Sequence, residues 1–261
     1  MSASLRGTAL QALAMSDPHQ KASLVRGLTV TELALDTAEI LTEPPGIPGR
    51  PDRPLLVDPS ALQSRAVGTR EGRAGLLHAL AHIEANAINL ALDLVWRYDG
   101  MPAAFYFDWL GVAQEEALHF QLLSTHLEAL GFRYGDFPAH DGLWETAHKT
   151  RSDLLARLAL VPRTLEARGL DASPAIRKKL ISVGDPRGGE ILDIILRDEI
   201  GHVAIGNHWF RYLCHQGGHA PVPTYARLAS QYGAAKLKGP FNLPARRAAG
   251  FDEAELEALL R

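Results

Sequence analysis

Glu116-Ala-Leu-His119 and Glu199-Ile-Gly-His202 each set a carboxylate and an imidazole three residues apart. On an α-helix that spacing puts both side chains on one face, where they can reach a common point. Carboxylate oxygen and imidazole nitrogen are ligands that suit iron or manganese better than copper(I). Two such pairs, joined by one glutamate from each of two further helices, make the donor set of a dinuclear metal site inside a four-helix bundle.

The phrase Glu-x-x-His is weak on its own. About one copy is expected by chance at ordinary residue usage in a chain of this length, and a third copy, Glu145-x-x-His148, is present. The helical rows around each glutamate separate the three. Glu116 has Trp109, Val112, Ala113, His119, Phe120 and Leu123 as row neighbours, and Glu199 has Leu192, Ile195, Leu196, His202, Val203 and Gly206. Both glutamates sit in apolar stripes and should face a core. Glu145 lies among Asp141, Gly142, His148, Lys149 and Ser152, a solvated face, and is rejected as a ligand.

A carboxylate in a core costs several kcal/mol unless something compensates it. Two further glutamates meet the same test. Glu84 has Leu77, Leu80, Ala81, Ala87, Ile88 and Ala91 around it, and Glu166 has Ala159, Pro162, Arg163, Gly169 and Leu170. Glu84 and Glu166 are 82 residues apart, while Glu116 to Glu199 and His119 to His202 are both 83. A repeated half-motif, Glu…Glu-x-x-His, follows. Asp153 is the rival to Glu166 on its helix, but Lys149, Thr150 and Arg157 share its row and it breaks the repeat.

Four carboxylates carry a charge of −4, which matches two divalent cations. Two iron ions are the expected cofactor, with manganese or a mixed pair compatible with the same ligands. Six protein ligands leave open positions, so dioxygen and a small organic substrate are the expected partners. Asp198 and Glu115 precede the motif glutamates and are placed to accept the outer N–H of a ligand imidazole; an ordinary ion pair with Arg197 or Arg73 is the alternative. Trp109, Phe120 and Val203 share the ligand rows and are the expected pocket lining. Trp209 reads as core, Tyr98 and Tyr106 are weaker candidates for electron relays, and His78 and His82 read as satisfied or surface histidines.

These residues require long helices to position them. Helices are expected over 4–15, 17–40, 70–98, 102–130, 143–168, 174–183, 187–215 and 223–233, with Asp252 capping a last one and 238–250 irregular. Five prolines between Pro44 and Pro54 forbid helix and central strand there, so 42–69 reads as an extended linker. Pro162 should kink its helix. The domain reading is a helical segment and linker over 1–69, a four-helix bundle with a crossover connection over 70–216, and a helical tail over 217–261. The fold class is all-α.

Hydrophobic residues make up 46% of the 261 residues and charged ones 22%, with a net charge of −3. Such a chain can bury a sizeable core, and its charge gives no general attraction to nucleic acid or membrane. Arg177-Lys178-Lys179 and Arg246-Arg247 read as solvated charge. The single Cys214 fits a reducing compartment. With no apolar run near the ~20 residues of a membrane span and no clear signal peptide, the expected location is the cytoplasm. No phosphate-binding loop, dinucleotide fingerprint or nucleophile elbow is present.

The stretches His82–Ile88, Glu115–Phe120, Phe137–Trp144, Leu160–Leu170, Arg197–Val203 and Gly239–Leu243 together resemble the bacterial ferritin-like domain-of-unknown-function 455 family across nearly the whole chain. That resemblance implies a ferritin-like fold and supports Glu84, Glu116, His119, Glu166, Glu199 and His202 as ligands, but brings no substrate. A more distant likeness, in bundle and ligand pattern alone, is to di-iron tRNA hydroxylases. The expected function is an oxygen-dependent oxidoreductase or hydroxylase; the alternative is a ferroxidase-type protein that handles iron without an organic substrate.

Overall fold

The computed structural model describes residues 4–63 and 65–260. Residues 1–3, Ser64 and Arg261, which fall in the expected N-terminal segment, linker and tail, lie outside the described residues. The described chain is all helical, with helices packed on one another and no strand. Its helices are α1 (Leu5–Ala14), α2 (Pro18–Gly27), α3 (Arg70–Arg97), α4 (Ala103–Ala129), α5 (Gly142–Lys149), α6 (Leu154–Leu160), α7 (Ala167–Ser182), α8 (Pro186–Gln216), α9 (Pro221–Gln231), α10 (Leu243–Ala248) and α11 (Glu253–Leu260). None is long and apolar enough to cross a membrane. Two compact units are built from them, residues 1–142 with 182–191 and residues 143–181 with 192–261.

In the first unit α3 packs along α4, with α1 laid on α3 and α2 on α4. Thr69 starts α3 by accepting the Gly72 N–H at 3.0 Å, and Asp17 starts α2 through the N–H groups of His19 and Gln20. Each cap satisfies donors that a helix terminus leaves open. Gly100 and Gly131 turn the chain after α3 and α4 with φ of 70° and 78°, a region that costs glycine little. The second helix ends at Gly27, earlier than periodicity suggests, and only a short 3₁₀ turn, Val30–Glu32, follows.

The proline-rich stretch is extended and tied down. Val57 N–H donates to Ala139 O at 2.8 Å and Ala139 N–H to Leu55 O at 3.0 Å. Lys21 Nζ crosses from α2 to bond Leu13 O, Gly49 O and Asn89 Oδ1. These three hydrogen bonds satisfy a buried amine and join α1, α2 and α3 to the linker.

His78 and His82 are buried on α3. His78 Nε2 accepts the Gly135 N–H at 2.9 Å, which requires a neutral ring, and His82 Nδ1 lies 2.8 Å from the Tyr134 hydroxyl. Burial, above all, pushes both imidazoles down to about 4. An unfolded imidazole takes its proton near 6.5, so the unfolded state binds more protons as pH falls through that value. Stability is expected to drop between pH 6.5 and about 4, by up to about 3 kcal/mol per ring. Urea melts at stepped pH check this, with His78→Asn expected to flatten the drop; an unchanged slope in that variant would exclude His78 as its source.

The second unit breaks what periodicity reads as one helix over 143–168. Asp153, the rival to Glu166, is the N-cap of α6, accepting the Ala156 N–H at 2.9 Å. Pro162 then lacks the N–H that the α pattern needs, and Val161–Glu166 forms a π-helical turn instead of a simple kink. Thr164 Oγ1 donates to Ala159 O at 2.8 Å. Helix continues through Gly169 and over Pro174 as α7, absorbing the separate helix expected at 174–183. The expected irregular segment 238–250 holds α10, started by the Asn242 side chain. Asp252 caps α11 as expected, accepting the Glu255 N–H at 2.9 Å.

Buried ion pairs anchor the tail within this unit. Arg246 forks onto Asp171 at 3.0 and 2.6 Å, and Glu255 joins Arg163 to Arg211. Asn207 of α8 accepts from Arg163 Nε at 2.6 Å and donates to Ala249 O at 2.7 Å.

Candidate metal centre

Glu84 on α3 and Glu116 and His119 on α4 are 3%, 0% and 0% exposed. Their helices are those that pack most extensively in the first unit, and their row neighbours Leu77, Ile88, Val112, Phe120 and Leu123 are buried with them. The result is two carboxylates and an imidazole in an apolar wall. His119 Nδ1 lies 3.3 Å from Glu84 Oε2 and 3.3 Å from Glu116 Oε2. A single ring N–H cannot serve both oxygens fully. Burial, and then repulsion from Glu116, holds the Glu84 carboxyl well above its usual range. Burial also works against a charged His119, but hydrogen bonds and attraction from Glu116 and Glu84 outweigh it and push the imidazole up to about 11. Two carboxylates this close favour positive charge between them.

In the second unit, Glu199 and His202 lie on α8 and are 7% and 1% exposed, with His202 Nδ1 3.8 Å from Glu199 Oε1. Glu166 is half-buried at the end of the π turn. Glu84, Glu116 and His119 are buried side chains that could hold a metal ion, and Glu199 is a buried carboxylate of the second unit. The donor set of oxygen and nitrogen, without thiolate, suits a hard or borderline divalent cation.

Other expected residues fall as follows. Trp109 is 1% exposed and meets Phe105 edge-on, and Phe120 is fully buried against His19 and Tyr134. Val203 packs with Ala167, Leu170, Ala245 and Ala249. Asp198 accepts from Arg197 at 2.7 and 3.0 Å, while Glu115 is exposed. Glu145 and His148 are both exposed on α5, in keeping with their solvated row. Arg163, a row neighbour of Glu166 in the sequence, is buried at 3% exposure; a cation in a largely apolar row is the signal that points to it.

Fold and buried residues together define an all-α protein with a carboxylate and imidazole cluster suited to a metal. The chain belongs to the DUF455 family, proteins of unknown function, whose profile matches residues 14–257. An uncharacterized protein of Haemophilus influenzae is 44% identical over 259 residues, covering 94% of this chain and 90% of its own length. No solved structure matches.

Proposed function

We propose that this protein is an oxygen-dependent oxidoreductase built around a dinuclear metal centre in a ferritin-like four-helix bundle. The observation that carries the reading is the buried pair Glu84 and Glu116 dividing one His119 N–H between them. That arrangement is costly as a purely structural feature and natural as half of a metal site. The repeated spacing in the sequence supports Glu166, Glu199 and His202 as the other half. Glu84 and Glu116 would bind as carboxylates, and His119 would give up a proton to ligate, so loading should become easier as pH rises. Bound iron, or manganese in its place, would supply the redox chemistry that no residue of the ligand set can.

The chain's own part is to hold the donors in place and exclude water, which the burial of Glu116 and His119 accomplishes on the α4 side. The same complete burial favours a second reading, a protein that handles iron without an organic substrate. Stopped-flow mixing of the anaerobically ferrous-loaded protein with dioxygen tests the first. A visible absorbance change with stoichiometric oxygen consumption is expected; no change over minutes would remove the enzyme reading. Turnover of an added organic substrate separates oxygenase from iron handling.

A further inference from the structure

A cleft of about 250 Å³ opens in the second unit, bordered by Val222, Tyr225, Ala229, Leu237, Phe251 and Leu259, with Arg163 also lining it. Its volume is a little below the usual range of ligand pockets, and its wall is mainly apolar. Arg163 is 3% exposed. Its Nε donates to Asn207 and one Nη to Glu255, but Nη1 has no hydrogen-bond partner among the described residues. The rings of Phe210, Tyr225 and Phe251 lie 4.1, 5.7 and 5.4 Å from its central carbon. Those faces stabilise the charge but give a buried N–H no acceptor, which leaves a cost of about 1–3 kcal/mol.

The charges around it do not balance. Arg246 is matched by its fork to Asp171. Arg163 and Arg211 share the one carboxylate of Glu255, so one positive charge is left over. Lys236 also borders the cleft.

We propose that the cleft binds a small amphipathic carboxylate, its head group drawn to the Arg163 guanidinium that lines it and its apolar body lying against the alanine and leucine wall. An excess of positive charge at the cleft fits an anion, and guanidinium geometry suits a carboxylate. This site stands on residues separate from the proposed metal ligands and does not depend on them.

Calorimetric titration with octanoate, 1-octanol and octylamine tests it. Octanoate is expected to bind saturably, 1-octanol at least about tenfold more weakly because it lacks the charge-assisted bond, and octylamine not at all. Ala229→Phe, which fills the cleft and leaves Arg163 in place, should abolish octanoate binding with an unchanged helical circular dichroism signal. Absence of saturable octanoate binding, equal affinity for octanoate and octanol, or undiminished binding in Ala229→Phe would overturn the proposal. The ligand comparison needs only the unaltered protein, so it decides even where the variant does not fold. Metal content measured on the same samples reports the metal centre independently.

Discussion

Replacing Glu116 with glutamine is expected to lower the metal content of ferrous-loaded protein from about two ions per chain to a small fraction of that. Glutamine keeps the shape of the side chain but removes the charge and the anionic oxygens. Glu116 is fully buried, and its Oε2 lies 3.3 Å from His119, so no nearby solvent can substitute for a lost ligand. Glu199→Gln should act in the same direction. Glu145→Gln is the matched control, a glutamate in the same sequence phrase that is exposed; its metal content should not change. Stability gives a second readout. A metal present at one hundred times its dissociation constant adds about 2.7 kcal/mol to the folded state, and that increment should vanish in the Glu116 variant. Equal metal content in the Glu116 and Glu145 variants would end the metal-centre reading.

Two glycines of α8 should respond to alanine with opposite signs. In a helix interior Gly→Ala ordinarily stabilises by about 1 kcal/mol. Gly201 has nothing within 4 Å of where a Cβ would stand, so Gly201→Ala should follow that rule. At Gly206 the same atom would lie 2.5 Å from Pro162 Cβ and 2.8 Å from its Cγ. A proline ring in a π turn has no rotamer through which to withdraw. Gly206→Ala should therefore destabilise by about 1–3 kcal/mol, the usual cost of overpacking, and displace the turn that carries Arg163 and Glu166. Urea unfolding of the two variants measures the difference. Stabilisation by both would mean that the turn yields freely and that the close approach has no energetic weight.

The long helices were legible because their apolar rows run for many turns. The expected span 70–98 became Arg70–Arg97, and 102–130 became Ala103–Ala129. Burial of Glu84, Glu116, Glu199 and His202 was readable for the same reason, since a charged residue in an apolar stripe has nowhere else to point. The helix expected over 143–168 is broken because Asp153 and Pro162 act through local hydrogen bonding, which periodicity does not register. An oxygen of Asp153 is engaged by the Ala156 N–H. The surroundings of Arg163 are not legible in the sequence because they are made by Glu255, Asn207 and Phe251, which lie far away along the chain. The location of the 217–261 helices was partly visible through Asp252, while α10 depended on the Asn242 side chain, a cap without a long apolar row behind it.

The division of the chain has a consequence for its biosynthesis. The first unit takes in residues 182–191 as well as 1–142. Arg73 reaches forward to Val183 O at 3.1 Å, and His126 to Asp185 at 2.8 Å. A ribosome releasing the chain from its N-terminus therefore cannot deliver a complete first unit when α4 emerges. That unit must wait until α5, α6 and α7 have also been made. Domains that finish early are usually the ones that fold early during synthesis; here the start of α8 sets the moment of closure, and a nascent chain arrested before Val183 would leave Arg73 and His126 without these two partners.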